Sequence, residues 1–144
     1  MIIVSIHSSF TQERQVITHR IIKALTAHPK VRVFGHPTGR LLTKREGVDA
    51  DWEQVFQICR ERNIALEINA HPERLDLPDL LVHEAVKKEV RLIIDTDSHH
   101  RDQMQLMRYG ISVARRGWAS ARDIVNTLGY NEFRGWLLKG GITL

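Results

Sequence analysis

A rhythm of about thirty residues constrains this chain more than any other feature. Four short apolar runs recur along it: IIVSI at 2–6, VRVF at 31–34, ALEI at 65–68 and RLIID at 91–95. Isoleucine and valine dominate them, and Gly, Pro, Asn or His flank them, so each predicts a strand. Helical patterns fill the intervals. From Thr11 to His28, Ile17, Ile21, Ala24 and Leu25 keep one face apolar; from Asp51 to Arg62, Trp52, Val55, Phe56 and Cys59 follow i, i+3, i+4, i+7 spacing. Pro78 and Asp79 open a third helix that turns Leu81, Ala85 and Val86 inward and suits Lys87 and Lys88 at its end. Strand, helix, strand at this spacing is the size of a βαβ unit, which predicts a parallel α/β sheet with right-handed crossovers.

After the fourth run the pattern loosens. Arg101 to Tyr109 predicts a helix, ISVARRG a short extended piece or turn, and SARDIVNTLG a helix with a capping box at Ser120 and Asp123 and a stop at Gly129. A last helix from Asn131 to Lys139 is expected to bury Phe133, Trp136 and Leu137. No low-complexity linker divides the 144 residues, so one domain over 1–144 is expected. No apolar stretch approaches the roughly 20 residues of a membrane span, and the start MIIVSIHSSF lacks a secretory signal pattern, so no membrane partner and a cytoplasmic location are expected. The single cysteine, Cys59, excludes an internal disulfide and reads as a buried thiol. A formal charge of +4 favours an anionic partner, DNA or a phosphorylated small molecule.

Every strand breaks into polar residues at its carboxyl end. IHSSF carries His7, GHPTG carries His36, EINAHPER carries Glu67, Asn69, His71 and Arg74, and DTDSHH carries Asp95, Asp97, His99 and His100. The intervals His7 to His36 to Glu67 to Asp97 are 29, 31 and 30 residues. In parallel α/β folds such positions converge on the carboxyl-terminal rim, where chemistry is placed. His7, His36, Asp97 and His99 form a nitrogen and oxygen donor set without thiolate, which suits Zn, Mn or Fe. An extended segment would point Asp97 and His99 the same way. One or two divalent ions held there would activate a water and stabilise a phosphoryl oxygen. A single histidine at a strand end is commonly structural, and it is the convergence of four positions that favours metal.

Other residues divide between roles. Glu67 either orients a ligand histidine or is a strand-end charge satisfied by Arg74. Asp95 is the less favoured carboxylate. His19, His28 and His83 read as surface or packing residues, and His100 as a neighbour of His99 able to cap the following helix. Arg40, Lys44 and Arg45, with Arg108, Arg115 and Arg116, bind phosphate if they border the rim and are solvated charges otherwise. Trp118 reads as a core anchor rather than a platform for bases.

VSIHSSF, VFGHPTGRLL, ALEINAHPERLDL, IIDTDSH and MRYGISVARRGW resemble, in that order, the carboxyl-terminal half of the polymerase and histidinol phosphatase (PHP) domain. The resemblance is strongest to the version fused behind bacterial family X DNA polymerases and covers nearly the whole chain. It implies part of a distorted TIM-like barrel of parallel strands with flanking helices and a metal cluster at its carboxyl-terminal rim. It implies that His7, His36, Asp97 and His99 ligate metal, with Asp97 and His99 central to catalysis, and that Glu67, Asn69 and Arg74 lie near the site. His71 stands where such polymerases often have a smaller polar residue, as an extra ligand or a neutral change. In the polymerase-fused proteins the domain is implicated in manganese-dependent 3′ to 5′ exonuclease and DNA end-processing activity.

The family's opening HxH motif, its earlier His and Glu ligands and its polymerase modules have no counterpart in these 144 residues. The expected divalent site, Mn or Zn, is therefore incomplete. Three readings follow: a metal-dependent phosphoesterase that retains part of its site, with Arg40, Arg115 and Arg116 steering phosphate; an inert module that forms a homodimer or complements a partner carrying the HxH half; and a histidinol-phosphatase-like enzyme acting on a small molecule.

Overall fold

In a computed structural model, which describes residues 1–138, four parallel strands lie side by side in chain order. They are β1 (Ile2–Ser5), β2 (Val31–Gly35), β3 (Ala65–Asn69) and β4 (Leu92–Asp95). The connecting helices are α1 (Arg14–Thr26), α2 (Trp52–Arg62) and α3 (Asp79–Lys87), followed by α4 (Met107–Arg116) and α5 (Tyr130–Leu138). The fold is α/β, a parallel sheet flanked by helices, consistent with a partial TIM-like barrel. No helix among the described residues is long and apolar enough to cross a membrane.

Chain-order pairing has a geometric consequence. Three crossovers of one hand between neighbouring parallel strands deposit their helices on one face, as in a barrel and unlike a doubly wound sheet. The core agrees: Phe34, Leu66, Ile68, Leu92 and Ile94 pack against Ile17, Ile21 and Leu25 of α1, Val55, Phe56 and Cys59 of α2, and Val82 and Ala85 of α3. Val33, Ala65 and Ile93 alternate to the opposite face, where Val125, Phe133 and Trp136 cover them. A bulge in the β1–β2 register, where Ile2 faces Val31 but Ile3 faces Val33, leaves Arg32 beside that second cluster with its Nε donating to the Leu137 carbonyl at 3.1 Å.

Local chemistry explains the boundaries. Asp51 caps α2 by accepting from the Gln54 amide at 3.2 Å, and Asn63 ends it in the left-handed region at φ 55°. Cys59 is fully buried, and burial pushes its thiol pKa up. Helix α1 is shorter than its apolar pattern, and Ala24 is exposed instead of facing the core.

Further expectations are corrected. ISVARR is the body of α4, because Gly110, Val113, Ala114 and Gly117 form a buried stripe of small residues; a Cβ at Gly110 would lie 2.5 Å from Ile94, and one at Gly117 2.3 Å from Val82. The stretch after Ser120 keeps its capping box but forms two 3₁₀ turns, Ala121–Asp123 and Val125–Thr127, separated by extended Ile124, which bridges to Leu92. Trp118 is 76% exposed, not a core anchor, since a φ of 64° turns its indole outward against His83. In α5 Trp136 is buried while Phe133 and Leu137 are half-buried, and the expected end at Lys139 lies outside the described residues.

Candidate metal centre at the carboxyl-terminal rim

Because the strands are parallel and in register, their carboxyl ends deliver His7, His36, Asn69 and Asp97 to one edge of the sheet. The centre of that edge is His36, half-buried with φ 46°. Its Nδ1 lies 3.1 Å from Glu67 Oε2 and 3.3 Å from Asn69 Nδ2, and its backbone N–H donates to the same Glu67 oxygen at 2.5 Å. Its Nε2 faces Asp97 Oδ2 at 3.7 Å. The His7 ring meets the His36 ring edge to face with centroids 6.2 Å apart. Arg74 approaches Asp97 Oδ2 from the other side, at 4.0 Å.

The electrostatics follow from this chain of contacts. The hydrogen bond to Glu67 raises the His36 pKa against the opposing effect of burial. Burial alone would raise the Glu67 carboxyl, but bonds with His36 and Asp95 outweigh it and hold it below its ordinary range. Asp95 is pushed up to about 8, first by burial and then by the Glu67 charge. The shift favours the protonated form of Asp95, the form able to donate toward Glu67. The less favoured carboxylate of the sequence reading thus sits inside the cluster, paired in register with Asn69.

Asp97 and His99 do not sit on an extended segment. Asp97 adopts φ 49°, so strand alternation stops before it, and His99 is exposed with Nδ1 2.8 Å from the Asp97 carbonyl oxygen. His71 supports its own turn: its amide donates to Asn69 Oδ1 at 2.9 Å and its Nδ1 accepts from the Glu73 amide at 3.3 Å. His100 caps the 3₁₀ turn Arg101–Leu106.

Sequence reasoning missed the residue that fixes the rim loops. Asp76, fully buried, accepts from the Thr38 amide at 3.1 Å, the Thr38 hydroxyl at 2.9 Å and the Gly39 amide at 2.9 Å. Its own carbonyl accepts from the Asn69 amide at 2.5 Å. One residue thereby joins the loop after β2 to the loop after β3. Arg40 reinforces the joint, with Nε donating to the Arg74 carbonyl at 2.8 Å and a terminal nitrogen to that of Leu75. Burial lowers its pKa. Arg116 pairs with Asp79 at 2.5 Å, whereas Arg115 is exposed and has no ion pair among the described residues.

The donor chemistry fits a divalent cation in part. A histidine whose Nδ1 is held by a buried carboxylate and whose Nε2 faces another carboxylate is oriented as a ligand histidine is. Among the described residues, however, no group of three or more His, Cys, Asp or Glu stands close enough to hold an ion.

No family model matches the chain. Over 137 residues, 95% of its length, it is 38% identical to the DNA polymerase/3'-5' exonuclease PolX of Bacillus subtilis (strain 168). The match spans 24% of that protein, so the chain is related to about a quarter of PolX.

Proposed function

We propose that this chain is a phosphoesterase domain related to the exonuclease of family X polymerases, of PHP type, acting on DNA 3′ ends. The observation that carries the reading is the line of contacts from Asp95 through Glu67 to His36 and on to Asp97, built at the end of the sheet where such folds place chemistry. His36 and Asp97 would hold a divalent ion, Mn or Zn, with His7 and His99 as further donors. When bound, such an ion supplies Lewis acidity at a phosphoryl oxygen and lowers the pKa of a water. The chain's own residues set up that chemistry. Glu67 holds Nδ1 of His36, leaving Nε2 to the ion; Arg74 stands beside Asp97 to meet phosphate charge; Asp76 and Arg40 hold the two loops in register.

Calorimetric titration with Mn and Zn tests the ligand assignment. Binding should be lost in a variant carrying both Asp97→Asn and His99→Ala, and equal binding by that variant would remove the assignment. Hydrolysis is tested with single-stranded DNA against histidinol phosphate in the presence of Mn.

A second reading is favoured by the spread of the donors and by the β1 side of the sheet. Ile2 and Ile3 are exposed on an edge strand, and beside them an open groove of about 540 Å³ is lined by Val4, Ile6, Ile17, Ile21, Ala24 and Ala27. A strand and helix from another part of a longer protein, or from a second chain, would cover both and bring the remaining ligands. On that reading the chain alone is inactive and gains Mn-dependent nuclease activity when the HxH half is added; robust activity of the lone chain would exclude it.

A further inference from the structure

The outer side of α4 has no part in the site just described, yet it carries an unusual combination of groups. Arg108, Tyr109, Ser112 and Arg115 are all exposed, and Arg108, Ser112 and Arg115 fall at i, i+4, i+7, one stripe along the helix. The Arg108 guanidinium lies over the Tyr109 ring, 4.9 Å from its centroid, and also donates to the Tyr109 hydroxyl at 3.2 Å. Immediately past the helix end stands Trp118, at φ 64° and 76% exposed. A tryptophan held in the left-handed region with its ring in water forgoes the burial that normally stabilises an indole. The ring is nonetheless fixed, edge to face with His83 at 5.0 Å.

The buried side of the same helix packs at the end of the sheet. Gly110 of α4 packs against Ala70, which follows Asn69 at the end of β3, and against Ile94 of β4. From there to Arg116 the helix rises about 9 Å. The helix that carries the stripe therefore packs beside the strand ends of the candidate centre, and Trp118 follows its carboxyl end.

We propose that the outer face of α4 and Trp118 bind single-stranded DNA upstream of the 3′ end that enters the rim. Arg108 and Arg115 meet successive phosphates, and one base stacks on the Trp118 indole, with Tyr109 as a second aromatic contact. Arginines interleaved with exposed aromatic rings are the recognition chemistry of single strands read without sequence preference. The net charge of +4 supplies long-range attraction of the same sign. Arg116 is left out because Asp79 already neutralises it. This inference rests on the DNA reading above, but it needs neither metal nor cleavage.

The experiment measures fluorescence anisotropy of a labelled oligothymidylate titrated with the full chain in chelator, at several salt concentrations. Trp118→Ala should weaken binding about tenfold with an unchanged salt slope, because stacking releases no counterions, while Trp118→Phe stays within about twofold of the parent. Arg115→Gln should reduce the salt slope by about 0.7, one phosphate contact on a single strand. Because Trp118 is exposed, its variants should melt with the parent, which separates lost binding from lost fold. Equal affinity of parent and Trp118→Ala overturns the proposal, as does no binding by either. A Trp118→Ala effect on self-association without one on DNA assigns the ring to a second copy and also overturns it. Trp118-dependent DNA binding in a chain that takes up no Mn leaves this track standing while the metal reading fails.

Discussion

His36, Glu67 and Asn69, at the ends of the two central strands, are buried or half-buried and carry several hydrogen bonds each, whereas His7 and His99, beyond the two outer strands, are exposed. The difference has a mechanical origin. A central strand is clamped by ladders on both sides, so the residue following it inherits a fixed backbone. The edge strand β1 is clamped on one side, and the chain after β4 leaves its strand through a left-handed Asp97. Side chains at the centre are therefore held in place by the fold itself, while those at the margins keep conformational freedom that any binding partner would have to remove.

Substitutions can break this contrast at its strongest point first. Asp76→Ala should cost about 3 kcal/mol in urea unfolding, since it leaves the Thr38 and Gly39 amides and the Thr38 hydroxyl buried without an acceptor. Glu67→Gln should lower Mn affinity by about tenfold in calorimetric titration, because the orienting partner of His36 becomes neutral. Asp95 sharpens the contrast through pH. Its folded pKa of about 8 lies above the ordinary aspartate value, so its contribution is complete below that ordinary value and is lost as pH rises through about 8. In chelator the urea midpoint of the parent should fall between pH 6 and pH 9, and that of Asp95→Asn should fall less. The margin should respond least: His7→Ala should shift unfolding by no more than about 0.5 kcal/mol.

The parts visible in the sequence were those written by local periodicity. Ile and Val runs at thirty-residue intervals mark all four strands, and helix α2 announces itself through Asp51 and its apolar spacing. Helix α4 was hidden because ISVA reads as a strand; its small residues become intelligible only when Ala70 and Val82 are seen pressing on them. Trp118 misled for a related reason, since a backbone angle and not hydrophobicity decides where its ring goes. At the site, strand ends pointed to His7, His36, Glu67, Asn69 and Asp97 as neighbours. The role of Asp76 was invisible because its partners, Thr38 and Gly39, stand almost forty positions earlier in the chain. The one local signal was an acidic residue just ahead of Pro78 in an otherwise apolar turn.

That clasp also says something about motion. The amide hydrogens of Thr38, Gly39 and Asn69 all end on the same aspartate, two on its carboxylate and one on its carbonyl. Neither loop can breathe without loosening the other, so the imidazole after β2 and the carboxamide at the end of β3 open and close as one cooperative unit.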